Sequence, residues 1–161
     1  MKRATLVFIV KTDDEGKKHV LLGEKKTAEI GTGTLNGPGG KLEENETEVE
    51  CLLRETSEEF GIDLNVSALH HVAHILFLAG GEPSFFVTVY LCTRYNGEPS
   101  ETESMYQPEW YPLDNLPFER MLDADRHWCL RALHGEKFSA QVYYREKAKG
   151  FERIEFFPFG G

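Results

Sequence analysis

The sequence predicts a single mixed α/β domain of the α+β kind. Three observations carry this prediction. The chain has 161 residues, about the length of one domain. Short β-rich runs recur along most of it, from residues 5–10 to residues 151–157. One segment spaces its apolar residues as a helix does: Val49, Leu52, Leu53, Thr56 and Phe60. With 40% hydrophobic and 12% aromatic residues, the chain is too apolar to be disordered and long enough to bury a core.

The elements follow in order. Residues 5–10 and 19–23 are apolar runs around a polar stretch with Gly16, which predicts a hairpin or two adjacent strands. Residues 28–40 carry Gly31, Gly33, Gly37, Gly39 and Gly40 with Pro38, and read as a shaped loop without regular structure. Asn45 followed by Glu48 fits a capping box, so a helix is expected from Asn45 as N-cap to Gly61 as terminator. Ile62, Leu64 and Val66 alternate as in a strand. Residues 68–79 and 84–94 flank Gly80-Gly81-Glu82-Pro83 and predict a hairpin. A short strand is expected at 109–113, a second helix at 123–133 before Gly135, and two late strands at 137–145 and 151–157.

Lysine and arginine number 18 against 27 aspartates and glutamates, a net charge of −9. Proteins that grip duplex DNA by its phosphates are normally basic, so a duplex nucleic acid partner is excluded. The acid is concentrated. Residues 43–59 hold eight glutamates against Arg54 and carry −7 of the total. Cys51, Cys92 and Cys129 suit neither a disulfide framework nor a zinc site and read as reduced thiols. No apolar run approaches the roughly 20 residues of a membrane span, and the N-terminal run lacks a signal cleavage site. The expectation is a cytoplasmic chain with no membrane partner. Nothing in the sequence decides the oligomeric state, and a monomer suffices.

The helix places Glu55, Glu58 and Glu59 on one face beside its apolar stripe, since each residue turns about 100°. Like charges three and four residues apart repel, and a hard divalent cation with oxygen ligands removes that repulsion. A solvated acidic face would have the same pattern. Gly37-Pro38-Gly39-Gly40-Lys41 leads directly into this segment. Glycines let the backbone approach a ligand and expose its peptide groups.

Gly40, five residues, Glu46, seven residues and then Arg54-Glu55-Thr56-Ser57-Glu58-Glu59-Phe60-Gly61-Ile62 resembles the Nudix box. Every charged and glycine position matches, and Thr56 departs at the first bulky apolar position. The resemblance implies that residues 1–161 form one Nudix hydrolase domain, an α/β/α sandwich around a mixed sheet. It implies a Mg²⁺ site, with Mn²⁺ as a substitute, built from Glu55, Glu58, Glu59 and a carbonyl of Gly40 or Gly39. Glu46, Arg54 and Gly61 match structural positions. Glu59 is one candidate base for activating water, and Glu103, in the loop before Trp110, is another catalytic and metal-binding candidate. Lys25, Lys26 and Lys41 flank the site in sequence and suit phosphate oxygens.

Beyond the box, Leu21-Leu22-Gly23, Lys25-Lys26, Asn36-Gly37 and Pro117-Phe118 followed by Met121 and Trp128 resemble the MutT-like oxidised-purine nucleoside triphosphatases of that family, over most of residues 4–145. This similarity implies a base pocket with Thr5, Asn36, Leu122 and Asp125. Leu122 stands where those enzymes stack a tryptophan on the purine, and Ala124 replaces one of their two pocket aspartates. The expected function is hydrolysis of a nucleoside triphosphate to monophosphate and pyrophosphate, with 8-oxo-dGTP as the substrate to test. The alternatives are removal of pyrophosphate from RNA 5′ ends and a non-catalytic nucleotide-binding or regulatory domain. Trp110 and Trp128 read as core residues. His70, His71 and His74 read as structural, because a metal site needs more ligands.

Overall fold

The computed structural model describes residues 1–28 and 31–160. Glu29 and Ile30 of the glycine-rich segment, and Gly161, lie outside the described residues. The strands are β1 (Lys2–Thr12), β2 (Lys18–Glu24), β3 (Leu35–Asn36), β4 (Gly39–Lys41), β5 (Asp63–Leu64), β6 (Leu69–Ala79), β7 (Glu82–Cys92), β8 (Tyr95–Asn96), β9 (Glu109–Pro112), β10 (Phe138–Glu146) and β11 (Lys149–Phe157). The helices are α1 (Glu48–Phe60) and α2 (Asp125–Leu133).

Nine strands form one mixed sheet in the order β11-β10-β6-β7-β1-β2-β3, with β4 on β1 and β9 on β2. The β1–β7 and β6–β10 pairs are parallel and the others are antiparallel. Side chains of β1 alternate between two cores. Val7 and Ile9 join Leu52 and Phe60 of α1 on one face. Leu6, Phe8 and Val10 join Trp128, Cys129 and Ala132 of α2 on the other. The helices therefore cover opposite faces of the sheet, which is the predicted α/β/α sandwich. Full burial of Leu52 and Phe60 stabilises by roughly 1.5–3 kcal/mol each.

The hairpins and both helices stand as predicted, and three local expectations are corrected. Helix α1 is capped by Thr47, not Asn45. Thr47 Oγ1 accepts from Glu50 N–H at 3.1 Å and Glu50 Oε1 accepts from Thr47 N–H at 2.9 Å, a full capping box. Asn45 takes a left-handed φ of 64° in the preceding turn, so no helix starts there. The helix ends as expected, with Gly61 at φ 70° donating its N–H to Ser57 O. Val66 belongs to a short 3₁₀ turn rather than a strand, because β5 pairs with the two-residue β8 alone.

The third correction concerns the glycine-rich segment, which contains β3 and β4. Missing side chains are what permit this. A Cβ on Gly37 would lie 2.1 Å from Val7 O, and Val7 N–H donates to Pro38 O at 3.0 Å. At Gly37 and Gly39 glycine marks backbone lying directly on β1, whereas residues 31–34 form a turn closed by Thr34 N–H on Gly31 O at 2.9 Å.

Two stability outcomes follow from this packing. Gly37→Ala is expected to destabilise by about 2–4 kcal/mol in urea unfolding, because Cβ would meet a backbone oxygen that cannot yield. Thr56 is fully buried on α1 and its hydroxyl has no hydrogen-bond partner. Thr56→Val keeps the shape and removes that orphan, so it should stabilise by about 1 kcal/mol in the same measurement.

Candidate active site

The site starts from the glycine backbone. Pairing of β4 with β1 sets Gly39 opposite Leu6 and Gly40 opposite Thr5. A Cβ on Gly39 would lie 2.0 Å from Thr5 O, and one on Gly40 would lie 2.6 Å from the carboxylate carbon of Glu55. Glycine therefore lets β4 pass between β1 and α1 with Glu55 folded over it. Gly39 N–H donates to Glu59 Oε1 at 2.8 Å. Two carboxylates one helical turn apart thus reach the same short strand.

Their electrostatics differ. Burial pushes Glu59 up to about 7, against the pull of the Gly39 N–H, and the charges of Glu55 and Glu58 add to the rise. Burial also raises Glu55, while Arg54 opposes that rise. Arg54 organises this acidic segment. Its Nε and Nη2 donate to the two oxygens of Glu46 at 2.7 and 2.9 Å, and its Nη1 donates to Glu55 Oε1 at 2.8 Å. Nη1 also lies 3.5 Å from Glu58 and 3.7 Å from Glu43. The fork-shaped pair with Glu46 holds that carboxyl at about 2 and ties the loop to α1.

A cavity of about 350 Å³ opens beside these carboxylates. Glu55, Glu59, Gly39, Gly40 and Lys41 line it on the α1 side. Leu122, Asp125, Trp128, Tyr144, Phe77 and Phe85 line it on the α2 side, and Lys25, Asn36 and Leu6 also contribute. Lys25 is felt at both ends, since its charge favours the ionised forms of Glu59 and of Asp125. Asn36 Oδ1 accepts from Gly37 N–H at 2.8 Å, which leaves its NH₂ for a ligand. Asp125 is 2% exposed, its Oδ2 accepts from Leu122 N–H at 3.2 Å, and burial pushes it up to about 7. The Trp128 indole N–H lies near enough to favour ionised Asp125, yet falls short of a full hydrogen bond.

The NUDIX domain family matches residues 2–132. The chain belongs to the Nudix family. It is similar to the oxidized purine nucleoside triphosphate hydrolase of Mus musculus, with 35% identity over 144 residues, 89% of this chain and 86% of that protein. The protein of the same name from Danio rerio is 36% identical over 138 residues, 85% of this chain and 83% of that one. Among solved structures, a MutT protein from Bacillus halodurans has a TM-score of 0.75 at 22% identity, covering 97% of each chain, which shows the shared fold. This chain is a Nudix hydrolase by descent, and Nudix hydrolases generally need a divalent metal and act on small nucleotides. Among the described residues no helix is long and apolar enough to cross a membrane.

Of the Nudix-box residues, Gly40, Glu46, Arg54, Glu55 and Glu59 converge, and Gly61 ends the helix that carries them. Glu58 does not line the cavity. Its side chain is 56% exposed and faces Arg54, although its charge is felt by both neighbours. Glu103 is exposed and outside the cavity, and its neighbour Ser104 lines it instead. Lys26 accounts for part of this. It turns away to Glu101 at 2.6 Å and to Thr102 O at 2.8 Å, pinning that loop, so it is not a cavity residue. Thr5 contributes to the wall, but strand alternation puts its side chain on the α1 face, where the hydroxyl donates to Cys51 Sγ at 3.4 Å. It does not face Asp125.

Trp128 is both core and cavity wall, 2% exposed. Trp110 is half-buried beside Tyr95, with the Lys11 ammonium 4.2 Å from its ring centre. His71 and His74 pack on one another at 4.4 Å and against Phe159, a structural cluster. Phe77, Phe85 and Tyr144 are cavity residues that the sequence reading missed, because in one dimension they look like any strand aromatic.

Among the described residues no three His, Cys, Asp or Glu side chains converge as a ready metal site. Arg54 occupies Glu55, and Glu58 stands in solvent. The donor set still fits a hard cation. It offers half-buried carboxylates whose ionised forms are only partly compensated by Arg54 and the Gly39 N–H, beside glycine backbone that Glu55 folds over.

Asp125 sets a pH dependence. Its proton is held more tightly in the folded chain than at the ordinary value of 3.8. Stability therefore falls as pH rises from that value to about 7, and the loss is complete above it. Asp125→Asn should raise the thermal midpoint relative to the unaltered chain at about pH 8 and not at about pH 4.

Proposed function

We propose that this chain is a single-domain, Mg²⁺-dependent nucleoside triphosphate pyrophosphohydrolase that acts on oxidised purine nucleotides such as 8-oxo-dGTP, with Mn²⁺ as an alternative ion. The observation that carries this reading is one continuous cavity, with paired carboxylates on one side, a buried carboxyl among apolar walls on the other, and Lys25 acting on both. That arrangement suits a ligand with a polyphosphate at one end and a flat, partly polar base at the other. The names of the mouse and zebrafish relatives point to the same substrate class.

Each residue has an assigned task. Glu55, Glu59 and a carbonyl of Gly39 or Gly40 would hold the cation, and Glu58 would turn from Arg54 and solvent to join them. A bound divalent ion would neutralise phosphate charge and make bound water more acidic. Glu59 Oε1 is occupied by the Gly39 N–H, so Oε2 is the atom placed to take a proton from water. Lys25 and Lys41 hold phosphate oxygens. Asn36 donates its NH₂ to the base, and Asp125 accepts from it. Leu122 supplies an apolar face in place of an aromatic ring, so less of the recognition comes from stacking and more from hydrogen bonds, which an 8-oxo group changes. Glu103 keeps no role in this reading. A cytoplasmic location fits a pool of free nucleotides.

The test is turnover of 8-oxo-dGTP, dGTP, dTTP and triphosphorylated RNA with Mg²⁺, read as pyrophosphate released. The expected result is a kcat/KM for 8-oxo-dGTP at least about tenfold above that for dGTP. Equal values would remove the oxidised-purine assignment, and no turnover of any substrate would favour a binding domain. Glu59→Gln should lower kcat by about a hundredfold or more with the thermal midpoint preserved. An active Glu59→Gln enzyme would overturn the assignment of that carboxylate.

A further inference from the structure

Tyr144 is a cavity residue with no part in the chemistry above, yet its surroundings are specific. β10 and β11 lose register between Tyr143 and Tyr144, and such bulges re-aim side chains near binding sites. The Tyr144 ring is 2% exposed and meets Phe151 edge-on, with ring centres 5.7 Å apart. Its carbonyl accepts from Gly80 N–H at 2.9 Å, which anchors it to the β6–β7 turn. Its hydroxyl accepts from Ala124 N–H at 3.0 Å in a buried hydrogen bond.

Ala124 opens α2 and has no side-chain cap of its own. Residues 122–125 form a tight turn, closed by Asp125 N–H on Leu122 O at 2.9 Å and by Leu122 N–H on Asp125 Oδ2 at 3.2 Å. The Tyr144 hydroxyl thus ties the turn that carries both Leu122 and Asp125 to the sheet.

We propose that Tyr144 is a positioning residue for base selection, whose hydroxyl fixes the turn at residues 122–125 so that Asp125 and Leu122 present one defined edge to the base. This rests on the reading that the cavity holds a nucleotide base. The physical reason is the cost of an orphan. In Tyr144→Phe the ring still packs, but Ala124 N–H is buried with no acceptor. A buried unsatisfied donor is relieved when its segment moves towards water. That movement displaces Asp125 and Leu122 together. Glu55 and Glu59 are on α1 and Lys25 follows β2, so the phosphate end is not disturbed.

The experiment is steady-state kinetics of the unaltered enzyme and Tyr144→Phe on 8-oxo-dGTP, dGTP and dTTP with Mg²⁺. For the base the unaltered enzyme prefers, KM should rise roughly tenfold while kcat stays within about twofold. The disfavoured bases should change little, so discrimination shrinks. In an Asp125→Asn background, Tyr144→Phe should reduce discrimination by less than about twofold, because both act through one turn. An equal loss on every base, a loss confined to kcat, or unchanged discrimination would overturn the proposal. If the unaltered enzyme prefers a base other than an oxidised purine, the substrate assignment fails and Tyr144 is judged on the base it does prefer. An unaltered enzyme with no base preference overturns the role of Tyr144. Amide exchange of the unaltered chain gives a second measurement that needs no variant. The Ala124 N–H should exchange at least about a hundredfold more slowly than an exposed amide, and exchange at the exposed rate would show that the tether is absent.

Discussion

One missing carbon atom decides where the backbone runs. Cβ atoms on Gly37 and Gly39 would fall about 2 Å from the carbonyl oxygens of Val7 and Thr5, and backbone cannot move aside as a side-chain tip can. Their absence lets β4 lie on β1 and slide under α1. That placement puts the Gly39 N–H on Glu59 and the Gly40 backbone under Glu55.

The acidity of the chain has the same origin. Most of the −9 charge sits in the loop and helix that cover this seam. It is tolerated because Arg54 distributes hydrogen bonds among Glu46 and Glu55, with Glu43 and Glu58 close by. The pairs are unequal in role. Glu46 is locked as a carboxylate by a two-pronged contact, so it is structural. Glu55 and Glu59 are burdened by burial, so a positive ion at their side lowers their energy. Glu43, Glu44 and Glu50 are exposed, and Glu50 serves as half of the helix cap. Acidity argues against a duplex partner and leaves room for a small polyanion, since Lys25, just after β2, lines the cavity.

Legibility in the sequence tracked how local each interaction is. Helix α1 was readable because its face, cap and terminator lie within one short segment. The cap was misplaced by two residues because Asn45 and Thr47 are both good capping residues, and the left-handed turn at Asn45 depends on Glu43 and Glu46 closing on one another. The carboxylate end of the cavity is readable for the same reason, its residues being a few positions apart. The apolar end is not. Phe77, Phe85, Trp128 and Tyr144 come from three strands and a helix, and each has the pattern of an ordinary core residue. Thr5 borders the cavity with its hydroxyl on Cys51, and Glu103 stands in an exposed loop, placements that strand pairing and loop path decide and position in the chain does not.

The sequence by itself determined both helices, the long strands and the Nudix box, and the two-sided sheet followed only from the resemblance that the box carries. Helices, strands and box are set by period, capping and spacing, which short-range sterics and apolar burial impose on neighbouring residues. Tertiary structure alone decided that residues 35–36 and 39–41 of the glycine-rich segment are strand, and that Glu58 faces Arg54 and solvent while Glu59 meets Gly39. It also decided that Tyr144 grips the turn at Ala124. These depend on which backbones lie within a hydrogen bond of one another, and residues far apart in the chain meet there only after both cores have closed.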